Sequence, residues 1–306
     1  MTSVIVDKVY KNYGKVQALT DISFTVEKGE LFGIIGPDGA GKTSLFRILT
    51  TLLLPAKGSA IVEGLDVVKD FKQIRKIVGY MPGRFSLYQD LSVEENLQFF
   101  ATIFGTTIQE NYELIKDIYI QIEPFKDRPA GKLSGGMKQK LALCCAMIHK
   151  PVILFLDEPT TGVDAVSRKE FWEMLIRLKK SGITILVSTP YMDEAGLCDR
   201  VALMQNGRML AIDKPDEITK TFKKQLFAIK ARNNYVLLNL LKDHKMTDSV
   251  YPFGEYLHFS PAKDEFIKTE LIEFLQSNGC EAVEVKTQEP TIEDCFMNLM
   301  KGEKVD

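Results

Sequence analysis

Histidine is nearly missing from this chain: among 306 residues only His149, His244 and His258 occur. A zinc site needs Cys or His at ligand spacing, and the five cysteines, Cys144, Cys145, Cys198, Cys280 and Cys295, form no C-x-x-C pair and have no His placed to complete one. They read as buried thiols of a reducing compartment. An excess of one charge is missing too, since 39 Lys+Arg stand against 41 Asp+Glu. No broad basic field follows from that balance, and no nucleic-acid partner is expected. A secretory start is absent from residues 1–8, and no stretch approaches the ~18–20 apolar residues of a membrane span. The chain is therefore expected in the cytoplasm, and any work at a membrane requires a separate protein to hold it there.

What is present is patterned. Residues 4–10 and 18–26 alternate apolar and polar, as half-buried antiparallel strands do. Leu31-Phe32-Gly33-Ile34-Ile35 is apolar throughout, the mark of a strand covered on both faces, and a glycine-rich turn and a helix over 44–51 follow it. Residues 85–147 read as mainly helical, with a capping box at Ser92-Val93-Glu94-Glu95. Two further buried strands, 152–156 and 183–187, flank a helical pattern over 166–180, and Asn206-Gly207 signals a hairpin within 201–212. The spacing predicts an α/β fold with a parallel sheet. The lysine-rich stretch 214–224 is the expected boundary, dividing 1–222 from a small α+β unit over 223–306. In that unit residues 226–231, 251–259 and 282–285 read as strands, and 235–242 and 265–276 as helices.

Three motifs carry chemistry. Gly36-Pro37-Asp38-Gly39-Ala40-Gly41-Lys42-Thr43, followed by Ser44, fits G-x-x-x-x-G-K-[ST] between a predicted strand and a predicted helix. Its glycines let consecutive N–H groups turn toward phosphate oxygens; Lys42 reaches the β and γ phosphates, and the Thr43 hydroxyl serves Mg²⁺. A buried strand ends in Asp157-Glu158, where Asp157 is suited to the metal and Glu158 to the attacking water. Leu133-Ser134-Gly135-Gly136-Met137-Lys138-Gln139 places a capping serine before a helix.

In this order, with Pro159-Thr160-Thr161-Gly162-Val163-Asp164 after the acid pair, the first 220 or so residues resemble the ATP-binding subunit of an ABC transporter. The resemblance implies a RecA-like P-loop NTPase core with an antiparallel β subdomain and a helical subdomain at about 85–147, with ATP and Mg²⁺ as ligands. It implies two cassettes paired head to tail, so that Ser134, Gly135 and Gly136 serve the partner's ATP. Tyr13 matches the aromatic ring that stacks on adenine, and a plain tyrosine at a strand end is the other reading. Asp164 matches an acid at the dimer interface, or else caps the next helix. The ending Pro290-Thr291-Ile292-Glu293-Asp294-Cys295-Phe296 resembles the tail of bacterial cassettes that serve ABC-2-type exporters.

Two positions depart from the family's pattern. Tyr80-Met81-Pro82-Gly83 stands where the family has Tyr-x-Pro-Gln, and Ser188-Thr189-Pro190 where it has Ser-Thr-His. Gly83 brings no side chain to metal and water, and Pro190 no imidazole to the γ-phosphate. Arg84 and Gln89, nearby in sequence, read as exposed loop. The expectation is an ATPase subunit of an exporter, peripheral on the cytoplasmic face and partnered by an integral permease and a second cassette, with an impaired site on its own phosphate loop. A soluble ATPase acting on ribosome or DNA, and a non-hydrolysing regulatory subunit, are the competing readings.

Overall fold

Alternation dictates the N-terminal part of the computed structural model, which describes residues 1–242, 244–263 and 267–302. Val4, Val6 and Val9 of β1 (Thr2–Tyr13) and Ile22, Phe24 and Val26 of β2 (Val16–Glu27) are buried, and the two strands pair antiparallel. Strand β3 (Leu31–Ile35) is buried at every position and runs through the glycine loop into α1 (Lys42–Leu49). Strands β4 (Lys57–Val62) and β5 (Leu65–Asp66) complete an antiparallel sheet in the order β2-β1-β4-β5.

After α2 (Phe71–Ile77) and β6 (Val78–Met81) comes the helical segment, with α3 (Val93–Ile103), α4 (Tyr112–Tyr119) and α5 (Gly135–Met147). The capping box at α3 forms: Glu95 N–H donates to Ser92 Oγ, and Ser92 N–H donates to the Glu95 carboxylate. Strand β7 (Ile153–Asp157), helix α6 (Ala165–Lys180), and strands β8 (Thr184–Thr189), β9 (Arg200–Gln205) and β10 (Arg208–Asp213) follow. The second sheet has the order β10-β9-β3-β8-β7-β6 and is parallel except for the β9–β10 hairpin. Asn206 and Gly207 turn that hairpin with φ of 47° and 73°, as a two-residue type I′ turn requires.

One core spans both sheets and α1. Phe24 stacks on Phe32 with centroids 5.4 Å apart, and Phe46 of α1 meets Phe155 of β7 edge-on at 5.9 Å. These contacts hold the start of α1 against the C-terminal tip of β7, where the glycine loop and the acid pair meet.

The chain divides into compact units at Met1–Pro215 and Asp216–Asp306. The expected division lay at 222, because the lysine-rich stretch read as a connection. Instead it holds α7 (Pro215–Lys220), which proline opens, Asp216 and Glu217 stabilise in its first turn, and a buried Ile218 anchors.

The second unit runs β11 (Phe227–Lys230), α8 (Asn234–Lys242), β12 (Thr247–Phe253), β13 (Tyr256–Pro261), α9 (Lys268–Ser277), β14 (Glu284–Thr287) and α10 (Ile292–Gly302). Its antiparallel sheet, ordered β12-β13-β11-β14, has the β-α-β-β-α-β plan of ferredoxin-like folds. Leu237, Leu241, Leu271 and Leu275 of the two helices pack with Ile229, Leu257 and Phe259 of the sheet. The strand expected over 251–259 is in fact a hairpin, folded where Gly254 adopts φ 57°. Of the helix expected over 265–276, Glu265 and Phe266 lie outside the described residues, and α9 takes up the remainder from Lys268.

Helix α10 approaches the sheet through Asp294, which is fully buried. Its Oδ1 lies 2.6 Å from His258 Nδ1 and accepts from the Tyr251 hydroxyl, while its Oδ2 accepts from Thr291 N–H (2.7 Å) and Thr291 Oγ1 (2.6 Å). Burial pushes the Asp294 carboxyl up, yet the bonds from His258, Thr291 and Tyr251 outweigh it and leave its pKa lowered.

Candidate nucleotide site

The glycine loop bends because its residues allow it. Gly41, at the mouth of α1, has φ 109°, and a Cβ there would stand 2.5 Å from Ala18 O, so position 41 excludes any side chain. Lys42 is thereby turned inward and is only 3% exposed. Its ammonium donates to Gly36 O (2.7 Å) and Pro37 O (3.0 Å) and pairs with Glu158 Oε1 at 3.0 Å.

Asp157 and Glu158 stand at the tip of β7, and Ser188 of the neighbouring β8 secures both. Its hydroxyl donates to Asp157 Oδ1 at 2.6 Å, and the Glu158 N–H donates to Ser188 Oγ (3.0 Å) and Ser188 O (3.1 Å). Those two acceptors hold Glu158 in a left-handed backbone conformation, φ 50°, which is unusual outside glycine. Burial raises the pKa of Asp157 despite hydrogen bonds from Ser188 and Thr43. A desolvated carboxylate beside a threonine hydroxyl is an all-oxygen donor set that a hard divalent cation would relieve of its unbalanced charge. Thr43 and Asp157 thus fit Mg²⁺.

A cavity of about 370 Å³ opens over the loop, lined by Gly39, Ala40, Gly41, Lys42, Thr43 and Ser44 together with Glu158. Val16, Gln17 and Asn206 also line it. Their neighbourhood comes from strand pairing and the I′ turn, and no motif marks them. Gly36, Pro37 and Asp38 precede these in the same loop, where Asp38 is exposed. Tyr13 ends β1, 45% exposed, with its hydroxyl 3.3 Å from Ser44 Oγ and the Lys11 ammonium 5.6 Å from its ring centroid. Its ring is open to a flat ligand and close to the loop.

The third motif lies at the start of α5. Ser134 caps the helix, accepting from Met137 N–H at 3.3 Å, and Ser134 and Gly135 are exposed. A Cβ on Gly136 would strike Ser167 Oγ at 2.7 Å, so the absence of a side chain lets α5 and α6 touch. Asp164 caps α6, accepting from Val166 N–H (3.1 Å) and Ser167 N–H (3.0 Å), bonds that hold its pKa low. The capping role is real, and Asp164 remains exposed.

At position 83 the backbone approaches the acid pair with no side chain on it. Gly83 comes so near the acid pair that a Cβ there would stand 3.1 Å from Asp157 O and 3.8 Å from its Cγ. Pro190 follows β8, and the turn around it is clamped by the buried Glu194, which accepts from Thr160 Oγ1 at 3.0 Å and from the Thr189 hydroxyl. Glu194 lies in no motif, and Ser188, though part of Ser188-Thr189-Pro190, is given no role by the sequence; both roles emerge only from the fold. Arg84 is exposed, as expected, but it also lines a cavity with Asp157 and Glu158.

A parallel sheet with a phosphate loop after β3 and a Mg²⁺-compatible acid pair at the tip of β7, with β8 between them, defines a P-loop NTPase fold. Residues 19–161 match the family model described as ABC transporter. The probable multidrug ABC transporter ATP-binding protein YbhF of Escherichia coli (strain K12) is 36% identical over 290 residues, which cover 93% of this chain and 49% of that protein. The chain thus spans about half the length of that relative. The Nod factor export ATP-binding protein I of Rhizobium sp. (strain N33) is 34% identical over 305 residues, 98% of each chain. Among solved structures, cbiO1 from Clostridium perfringens, part of the ABC transporter complex cbiONQ, superposes with a TM-score of 0.64 at 28% identity over 72% of this chain and 91% of that one. The chain belongs to the ATP-binding proteins of ABC transporters.

Proposed function

We propose that this chain is one cassette of an asymmetric exporter ATPase, binding ATP on its own phosphate loop, turning it over slowly there, and lending its Ser134–Gly136 segment to a faster site on a second cassette. The observation that carries the reading is the contrast at the acid pair. Lys42 pairs with Glu158, and Asp157 is bonded by Ser188 and Thr43, while Gly83 comes beside Asp157 with no side chain and position 190, just after β8, holds a proline, which has no side-chain donor. Losing one preorganised donor at a developing charge costs ~2.7–4 kcal/mol, about 10²–10³ in rate. Binding survives such losses better than turnover, because positioning of the water is what is lost.

In this scheme Lys42 moves from Glu158 to the β and γ phosphates, and the α1 N-terminus adds its dipole. Thr43 and Asp157 hold Mg²⁺, which neutralises charge on the transferring phosphate. Glu158, freed, accepts the water's proton. Tyr13 lies against the adenine, and Asp164 faces the second cassette. Ser134 and Gly135, exposed with a helix N-terminus behind them, suit a nucleotide held by another chain.

A permease partner is supported by an apolar groove of about 400 Å³ beside β6 and α3, walled by Leu52, Tyr80, Leu87, Phe100, Ile103 and Phe104. Leu52 and Ile103 are more than half exposed there. Among the described residues no helix is long and apolar enough to cross a membrane. The chain is accordingly proposed to sit on the cytoplasmic face, held by that permease. The names of the relatives, a probable multidrug transporter protein and a Nod factor export protein, support a reading of export. Restoring both side chains, Pro190→His with Gly83→Gln, in the complex purified with its permease and second cassette is expected to raise ATP turnover at this site at least tenfold. Full family-level turnover by a purified homodimer of the unaltered chain overturns the asymmetric reading.

A further inference from the structure

Between α1 and the turn after β6 lies a cavity of about 580 Å³, walled by Thr43, Arg47, Gly83, Arg84, Asp157 and Glu158 among others. It adjoins the cavity over the glycine loop, sharing Thr43 and Glu158 with it, and opens on the acid side of the site. Part of its room exists because position 83 has no side chain. Three cations are near. Lys42 is committed to Gly36 O, Pro37 O and Glu158, and Arg47 is hydrogen-bonded to the Tyr80 side chain. Arg84 makes no hydrogen bond or ion pair among the described residues.

We propose that Arg84 closes over the terminal phosphate of ATP bound at this chain's own loop, as the donor that neither Gly83 nor Pro190 supplies. The inference rests on the reading that this loop binds ATP. A guanidinium suits a terminal phosphate, since its planar fork of five N–H donors engages two phosphate oxygens at once and its charge is permanent. The long side chain of Arg84 can enter the room left beside Gly83, and no existing bond has to break first. The contact would distinguish ATP from ADP, and it does not by itself place the attacking water. Arg84 is therefore a specificity-determining residue for the γ-phosphate.

The test is calorimetric titration of the full chain with ATP and with ADP in the presence of Mg²⁺. Arg84→Ala is expected to weaken ATP about tenfold and leave ADP within about twofold, with Arg84→Lys in between because it keeps the charge and loses the fork. Melting temperatures of the variants check that they fold, which the exposure of Arg84 favours. Unchanged affinity for both nucleotides overturns the proposal, and so does an equal loss for both, which would mark a general charge effect. If the unaltered chain bound neither nucleotide, the functional reading would itself fall; if it binds both and the variants bind alike, only the role of Arg84 falls.

Discussion

Asp157 in the first unit and Asp294 in the second are both buried carboxylates, 1% and 0% exposed, yet their pKa values move in opposite directions. Asp294 is surrounded by donors: His258, the Tyr251 hydroxyl, and the Thr291 N–H and hydroxyl. Asp157 is bonded by Ser188 and Thr43, has the Glu158 charge beside it, and remains short of donors for its depth. A carboxylate whose bonds are complete stabilises the fold as it stands. One that is left short is costly until a cation arrives, and that is how a binding site differs from a structural cluster. Burial alone does not mark function, and incomplete satisfaction does.

The largest effect that would test this contrast is expected at the structural carboxylate. Asp294→Ala leaves His258, Tyr251 and Thr291 without their shared acceptor and should destabilise the second unit by about 3 kcal/mol, read by denaturant unfolding. ATP affinity should not change. If it does, Asp294 is not merely structural and the contrast fails.

A smaller effect of opposite sign is expected at the site. Asp157→Asn removes an incompletely compensated charge from a buried position, so the nucleotide-free chain should gain roughly 1 kcal/mol, while the Mg²⁺ dependence of ATP binding is lost. Destabilisation by this substitution would mean that Asp157 is as well satisfied as Asp294. The smallest effect is in pH. The Asp294 carboxyl is lowered in the fold, so its stabilisation is present above the ordinary carboxylate range near 3.8 and is lost as pH falls through its lower folded value. The raised Asp157 works the other way: its contribution is full below that range and is lost as pH rises through the elevated value. Acid unfolding followed separately for Asp294→Asn and Asp157→Asn should therefore shift with opposite slopes.

Much of this was legible in the residues because it is local. The phosphate loop, the acid pair and the Ser134 cap are contiguous runs whose geometry depends on neighbours a few positions away. The capping box at Ser92 and the Asn206-Gly207 turn are legible for the same reason. Where local signals were weak the sequence misled. The β12–β13 hairpin turns at Gly254-Glu255, with none of the Asn-Gly chemistry that announced the other hairpin, and so it read as one strand. Strand β4 is made of Lys57, Gly58, Ser59, Ala60, Ile61 and Val62, poor strand formers at its start, and is held between β1 and β5. Helix α7 hid inside a lysine-rich stretch because only one of its residues, Ile218, is buried.

The order of residues was enough to mark an ATP-binding cassette that carries glycine at position 83 and proline at position 190. Composition contributed the scarcity of histidine, which left no substitute for Pro190. It took the folded chain to reveal how Ser188 from one strand secures both acids of the next, and how Glu194 ties the Pro190 turn to Thr160. The fold also brings Arg84 into one cavity with the acid pair. The difference is one of range: backbone curvature and capping are set by adjacent residues, whereas desolvation and hydrogen-bond satisfaction depend on what distant segments bring to the same place.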